Sequence, residues 1–230
     1  KYAANAFLAT KITFINEIAN LCEKSGINVE DIALGIGSDT RIGGRFLRPG
    51  PAYGGSCFPK DTKGLVSAAE KFRTNLSIVK SVIKSNYDRV NLLTKRVHKI
   101  LGNNLKGKKI SLLGVTFKPN TDDMRDSTSL KMMPYLCNKG ANVSYYDPSG
   151  EKKSFKNIKN CEYKNDIKSN CLNADLIILL TEWDEFKSID FKKIVKKKNF
   201  SVYDLRNLYT AEDMKRKKIK YYSIGRPNIN

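Results

Sequence analysis

The sequence predicts a chain of two parts, an all-helical domain over residues 1–101 and a parallel α/β domain over residues 102–230. Through the first part, apolar residues recur at the spacings of three and four that mark a helix with one buried face. Beyond it, short apolar runs alternate with helical patterns, as they do in parallel sheets. A chain of 230 residues with 40% hydrophobic content is large enough for two packed domains.

Four helices are predicted in the first part. The first covers residues 3–24, and the second covers 29–35 with Asn28 as its N-cap. A third follows Pro59, because proline suits the first turn of a helix. The longest covers residues 75–101 and is long enough to join two domains or to lie in a dimer seam.

The second part is predicted to hold strands joined by helices, in the manner of a Rossmann-like sheet. Glycine at 102, 107 and 140 separates several of these elements. The predicted strands are 110–115, 143–146, 176–181, 201–204 and 220–224, and the predicted helices are 129–138, 191–195 and 211–216.

Composition narrows the possible functions. The net charge of +19 invites a nucleic-acid interpretation, but the lysines lie in short patches without interleaved aromatics or a nucleic-acid motif, so an anionic small molecule is favoured. No apolar run approaches the roughly 18 residues of a membrane span, so no membrane partner is expected. Five cysteines without a Cys-x-x-Cys pair argue against a disulfide framework or a metal site and for the cytoplasm.

The run Gly-Gly-Ser-Cys-Phe-Pro-Lys-Asp at residues 54–61 carries the strongest chemical signal. Its glycines allow the backbone to approach a ligand closely. Cys57 would stand at a helix N-terminus beside Lys60, and both features favour a thiolate nucleophile. Asp61 could orient a water or accept its proton. The alternative is a buried structural cysteine in a glycine-rich turn.

Other residues are suited to binding anions. The loop 35–55 is rich in glycine and arginine, and the stretch 114–127 leaves the predicted first strand with Lys118 and Arg125. Arg206 follows another predicted strand, and ligands of α/β sheets bind at strand ends. The alternative for 114–127 is a solvated loop with local salt bridges. A hydrolase pair of Cys57 with His98, the one histidine, is a further alternative without support elsewhere in the sequence.

Three blocks, residues 1–9, 41–61 and 114–127, together resemble the UDP-glucose/GDP-mannose dehydrogenase family. Their order and spacing extend the resemblance to nearly the whole chain. The family's first domain binds NAD through Gly-x-Gly-x-x-Gly, which this sequence lacks. The chain is therefore expected to be the central dimerisation domain and the nucleotide-sugar-binding domain of such an enzyme, inactive by itself.

The resemblance implies a four-electron oxidation of UDP-glucose to UDP-glucuronate with NAD, through a thiohemiacetal and a thioester on the catalytic cysteine. It assigns catalysis to Cys57, Lys1, Asn5 and Asp61, with Lys1 and Asn5 supporting the oxyanion. GDP-mannose oxidation and a non-catalytic nucleotide-sugar-binding module remain the alternatives. A homodimer through the helical domain is implied as well.

The resemblance also implies contacts to substrate and cofactor. Arg41 is expected to reach the substrate of the partner subunit, while Lys60 and Arg125 approach the phosphates of NAD. The expected substrate contacts are Lys1, Asn5, Arg41, Phe46, Leu47, Arg48, Pro49, Gly50, Gly54, Lys118 and Arg206.

Overall fold

The computed structural model describes residues 1–227, which contain eight α-helices and one six-stranded parallel sheet. The predicted second domain runs to residue 230, so its last three residues lie outside the described residues. The helices are α1 (Tyr2–Ser25), α2 (Val29–Gly37), α3 (Cys57–Lys71), α4 (Ser77–Ile100), α5 (Ser129–Asn138), α6 (Ile167–Cys171), α7 (Phe191–Ile194) and α8 (Ala211–Arg216). The strands are β1 (Lys109–Leu113), β2 (Asn142–Tyr146), β3 (Cys161–Tyr163), β4 (Leu176–Leu179), β5 (Ser201–Asp204) and β6 (Lys220–Ser223).

Local sequence signals explain where the first helices begin and end. α1 ends at Gly26, which adopts the left-handed conformation with a φ of 75°. The Asn28 side chain accepts a hydrogen bond from the Glu30 N–H and so caps α2, as the sequence predicts. α3 begins at Cys57, so Pro59 lies within its first turn and Cys57 at its N-terminus, also as predicted.

All strands of the sheet are parallel, in the order β3-β2-β1-β4-β5-β6. The mixed arrangement of helices and a parallel sheet confirms the predicted α/β class. After β1 the chain adds β2 and β3 on one side of the sheet, and after β4 it adds β5 and β6 on the other side. The strand order therefore reverses between the neighbours β1 and β4, and α/β sheets bind ligands at such a point. β3 and α6 were not predicted from the sequence, because three and five residues are too few to show a period.

One apolar core runs through both parts of the chain. Ile15 of α1 and Leu93 of α4 belong to the same buried cluster as Ile110 of β1 and Tyr203 of β5. After β6, the chain returns to the helices, where the Val29 N–H donates to the Gly225 carbonyl at 2.8 Å. The helical residues are thereby fixed against the sheet. The loop between α2 and α3, which α1 and α4 hold by hydrogen bonds, lies over the carboxyl ends of the strands.

Within residues 1–227, no helix combines the length and the apolar character that crossing a bilayer requires.

Candidate functional site

A cleft of about 310 Å³ opens where the helices meet the carboxyl ends of the strands. One wall is the loop between α2 and α3, and the other consists of the segments that leave β1, β4 and β5. The cleft therefore lies at the point of reversal in strand order, where ligands of such sheets bind. Its lining residues are Ile12, Phe46, Arg48, Pro49, Gly50, Ala52, Tyr53, Gly54, Phe58, Phe117, Lys118, Glu182 and Arg206.

Buried polar side chains of α1 and α4 hold Gly50 in the cleft wall. The Gly50 N–H donates to Asn16 Oδ1 at 2.9 Å, and its carbonyl accepts from Arg89 Nε at 2.6 Å. Arg89 Nη1 also donates to the Asn16 carbonyl at 3.1 Å. Burial lowers the pKa of Arg89 to about 10, with the nearby Arg96 guanidinium adding to the effect. At neutral pH Arg89 is still charged, so this anchor consists of charge-assisted hydrogen bonds.

A second anchor holds Tyr53 by both of its backbone groups. The Tyr53 N–H donates to Asn86 Oδ1 at 2.9 Å, and Asn86 Nδ2 donates to the Tyr53 carbonyl at 3.1 Å. The Tyr53 and Phe46 rings both meet Phe58 edge-on, with centroids 6.0 and 6.1 Å apart. Phe46 itself has a φ of 65°, a strained conformation for an aromatic residue, and such strain concentrates at ligand sites.

Gly54 and Gly55 bring this loop into direct contact with the segment after β1. A Cβ on Gly54 would stand 2.5 Å from the Asp126 carbonyl oxygen, and one on Gly55 would stand 2.6 Å from the Phe117 ring. Gly55 has a φ of 77°, and its N–H donates to the Arg125 carbonyl at 2.8 Å. Only glycine fits at both positions, because side chains would separate the two walls.

Arg206 lies in the opposite wall with most of its guanidinium committed to the protein. Nε donates to the Leu180 carbonyl at 2.8 Å, and Nη2 donates to the Phe117 carbonyl at 3.1 Å. Glu182 Oε2 also lies 2.8 Å from Nε and acts as a counter-ion, since that N–H already donates to Leu180. Burial lowers the pKa of Arg206, and the Glu182 carboxylate opposes this shift.

Two buried aspartates shape the loops that carry the cleft's basic residues. Asp204, at the end of β5, accepts from the Arg206 N–H at 3.0 Å and from the Tyr221 hydroxyl at 2.9 Å. Burial raises the pKa of Asp204, and these hydrogen bonds oppose the shift. Asp147, after β2, accepts from the Val115 N–H at 2.7 Å and so fixes the start of the loop that carries Lys118.

Two of the four predicted catalytic residues, Cys57 and Asp61, lie in the first two turns of α3, while Asn5 lies in α1 and Lys1 directly precedes that helix. Cys57 is exposed in the first turn, and Asp61 is buried one turn later. Asn5 Nδ2 donates to Asp61 Oδ2 at 2.6 Å, which joins α1 to α3 at this point. Asp61 Oδ1 accepts no hydrogen bond from the described residues, and Lys60 Nζ lies 3.9 Å from it. A buried carboxylate oxygen without a partner, one helical turn from a thiol, is suited to hold a water near that thiol.

The exposed side chains of Lys60 and Arg125 are available near this thiol. Arg125 forms a bidentate pair with Asp123, with Nη2–Oδ2 at 2.8 Å. That pair is the main reason for the raised pKa of Arg125. Two exposed cations beside a thiol can contact an anionic group brought to it.

The structure brings seven of the predicted substrate-contact residues together in the cleft. Leu47 is instead buried in the main core, so its side chain faces away from the cleft. Arg41 pairs with Asp39 and is exposed outside this wall. The Lys1 side chain is exposed and makes no hydrogen bond within the described residues. The seven are Phe46, Arg48, Pro49, Gly50, Gly54, Lys118 and Arg206.

His98 packs edge-on against Tyr135 of α5, with ring centroids 5.6 Å apart, and forms no hydrogen bond with Cys57. Among residues 1–227, no group of three or more His, Cys, Asp or Glu side chains is arranged to hold a metal ion.

Two models of one protein family match this chain. The central domain of the UDP-glucose/GDP-mannose dehydrogenase family matches residues 1–88, and the UDP-binding domain of the same family matches residues 111–211. The chain belongs to the UDP-glucose/GDP-mannose dehydrogenase family. The resemblance carried by the three sequence blocks is thereby confirmed.

Named relatives in this family include UDP-glucose 6-dehydrogenases. The Rhizobium meliloti enzyme is 46% identical over 99% of this chain, and Bacillus subtilis YwqF is 41% identical over all of it. A UDP-glucose dehydrogenase from Pyrobaculum islandicum superposes with a TM-score of 0.85 at 30% identity, covering 99% of this chain and 50% of that one. The chain spans about half the length of these relatives, 52% for both curated enzymes.

The sequence analysis did not identify the residues whose hydrogen bonds fix the loops of the cleft. Asn16, Arg89, Asp147 and Asp204 touch the loops by hydrogen bonds without belonging to the motif blocks. A signal was present in α4, where Arg89 stands on the apolar face next to Val90 and is almost fully buried. A charged residue at such a position must have buried partners.

Proposed function

We propose that this chain is the substrate-binding and thiol-bearing part of an NAD-dependent UDP-glucose 6-dehydrogenase. The single observation that carries the proposal is the cleft, which is lined by Lys118, Arg206 and Phe58, the residue after Cys57. Its basic residues suit a diphosphate, and Cys57, just outside the lining, stands as a nucleophile at a helix N-terminus. The 41–46% identity to enzymes of that name favours UDP-glucose over GDP-mannose.

In the proposed reaction the C6 alcohol of the bound sugar loses a hydride and a proton and becomes an aldehyde. The Cys57 thiolate then forms a C–S bond to that carbon, and Asn5 and Lys1 stabilise the oxyanion. Loss of a second hydride converts the adduct to a thioester. Water held by Asp61 attacks the thioester, the C–S bond breaks, and the carboxylate and the thiolate are released.

NAD⁺ would accept the hydride in both oxidations. The residues that this chain would contribute to NAD are Lys60 and Arg125, whose side chains are 68% and 67% exposed and could meet its phosphates. No Gly-x-Gly-x-x-Gly occurs in the sequence, so the chain by itself is proposed to bind the nucleotide-sugar without turning it over.

Binding of UDP-glucose tests the substrate site independently of turnover. We expect calorimetry to detect UDP-glucose binding to the chain and GDP-mannose to bind more weakly. Lys118→Ala should weaken UDP-glucose binding about tenfold, because one charge-assisted hydrogen bond to phosphate is lost. Lys24→Ala, a change at an exposed lysine of α1 outside the cleft, serves as the control and should leave binding unchanged. Tighter binding of GDP-mannose would reverse the substrate assignment.

Turnover separates the enzyme from a nucleotide-sugar-binding module. The protein that also supplies a nicotinamide site should release UDP-glucuronate with two NADH per sugar. Binding of UDP-glucose without acid formation in that protein would favour the non-catalytic module.

We also propose that the helical residues form the homodimer, with α1 supplying the apolar contact and α4 beside it. Phe7, Phe14 and Leu21 recur every seven residues, so they share one face of α1, and they are 65%, 49% and 62% exposed. Large apolar side chains in a row on a surface mark an interaction site. We further propose that the first domain covers residues 1–101 and the second residues 102–230, and that the protein is located in the cytoplasm.

Sedimentation velocity tests this dimer. We expect the unchanged protein to be a dimer at micromolar concentration and Phe14→Glu to be a monomer, because the substitution places a charge in the middle of the contact. Phe72→Glu is the matched control, since Phe72 is 82% exposed at the end of α3 and does not belong to the apolar row on α1. A monomer before substitution, or equal dissociation by both variants, would contradict the proposal.

A further inference from the structure

Charge is distributed unequally between the two ends of the parallel sheet. Because all six strands are parallel, the segments that enter them lie at one edge and those that leave them at the opposite edge. The entering segments carry eleven lysines and one acidic residue, Asp175. They are residues 102–109, 139–142, 157–160, 172–175, 195–200 and 217–220, and their lysines are called the lysine rim below.

The leaving segments, which include the cleft loops, have the opposite balance. They carry seven basic and ten acidic residues. A general abundance of lysine in the chain would raise the number of lysines at both edges alike, so it does not account for their concentration at one edge. The leaving segments are residues 114–128, 147–152, 164–166, 180–190, 205–210 and 224–227.

The lysine rim is exposed and largely unpaired. All of its side chains are exposed except Lys108, which is half-buried. Within the described residues, Lys197 is the one rim lysine that forms a salt bridge, to Asp175. With neighbouring strands about 4.8 Å apart, the rim extends along an edge of about 24 Å. It presents a row of free positive charges rather than a pocket.

We propose that the lysine rim docks the protein onto an anionic lipid bilayer surface by charge alone. Lysine is a compact point charge that suits a smeared layer of anionic headgroups, and each lysine near such a surface strengthens binding about fivefold. The large apolar residues of the entering segments are buried, as Leu105, Phe200 and Ile219 are, or half-buried, as Ile158 and Leu172 are, so none is exposed for insertion into the bilayer. The lack of an apolar span, on which the sequence-based expectation of no membrane partner rests, has no bearing on docking of this kind.

A nucleic acid fits this edge less well. The rim has no arginine for bidentate contacts to bases, and none of its segments exposes an aromatic ring on which a base could stack. Docking through the rim would leave the cleft, at the opposite edge of the sheet, facing away from the bilayer and open to substrate.

Co-sedimentation with vesicles tests the proposal. The protein should bind vesicles containing about 30% phosphatidylglycerol at low salt and should not bind pure phosphatidylcholine vesicles. It should be released from the anionic vesicles by about 0.5 M salt, where charges are screened within a few ångströms. Replacing Lys196, Lys198, Lys217 and Lys220 together by glutamine should weaken binding about a hundredfold or more. A second variant, with Lys106→Gln, Lys139→Gln and Lys159→Gln, removes rim charges before β1, β2 and β3 and should also weaken vesicle binding. Agreement between the two variants shows that the loss of binding does not come from a folding defect in the first.

The matched control removes the same charge elsewhere. Replacing Lys24, Lys63, Lys71 and Lys95, exposed lysines of α1, α3 and α4, by glutamine should leave vesicle binding nearly unchanged. Equal weakening by the control would mean that binding follows net charge, which overturns the proposal. Failure of the unchanged protein to bind anionic vesicles overturns it as well. So does tighter, rim-dependent binding of a single-stranded or duplex oligonucleotide.

Discussion

Replacing Cys57 by serine is expected to stop the proposed reaction before the acid is formed while leaving nucleotide-sugar binding nearly intact. Serine keeps the size of the side chain at the start of α3, and the cleft lining does not include the sulfur. A neutral hydroxyl is a much poorer nucleophile than a thiolate, and its ester releases the acid badly. We expect UDP-glucuronate formation to fall by about 10³-fold or more. Oxidation to the aldehyde level should continue.

The measurement is a single-turnover experiment on the protein that also holds NAD, with mass spectrometry of the protein and of the sugar products. Cys161→Ser is the matched control, because Cys161 is a half-exposed thiol on β3 outside the cleft. It should form acid at the normal rate. Normal acid formation by Cys57→Ser would remove the thioester from the mechanism and return Cys57 to a structural role.

The sequence predicted the parts of the fold whose signals are local or long. The helix start at Asn28 and the position of Cys57 in the first turn of α3 follow from single residues with fixed stereochemical preferences. The apolar period of α4 extends over six turns and cannot be mistaken for a strand. By contrast, β3 is only three residues long and half exposed, so no pattern distinguishes it from a loop.

The candidate site was predictable only where its residues lie within motifs. Gly54 and Lys118 belong to the blocks that carry the family resemblance, and the structure brings them to one cleft. Asn16 and Arg89 lie 73 positions apart and meet only through the packing of α1 against α4. Their role depends on tertiary contacts, which no spacing in one sequence encodes. Leu47 shows the reverse case, a motif residue whose side chain is used for the core.

Replacing Gly54 by alanine is expected to separate the two walls of the cleft and to destabilise the protein. The added methyl would lie 2.5 Å from the Asp126 carbonyl oxygen, and that oxygen belongs to the backbone, so it cannot rotate away. Asp126 itself has a φ of 50° and has little freedom to shift. Overpacking of this kind costs about 1–3 kcal/mol. For a chain of this length the loss lowers the melting temperature by about 2–4 °C per kcal/mol.

Gly35→Ala provides the matched control for Gly54→Ala, since the same methyl is added in open space. A methyl group at Gly35 would have no neighbouring atom within 4 Å, and this glycine lies inside α2 with ordinary helical geometry. Alanine is a better helix former than glycine, so Gly35→Ala should raise the free energy of unfolding by up to about 1 kcal/mol. Thermal unfolding should therefore move in opposite directions for the two variants, and UDP-glucose binding should weaken only for Gly54→Ala. If Gly54→Ala unfolds at the normal temperature and binds UDP-glucose normally, the contact with Asp126 does not determine the shape of the cleft.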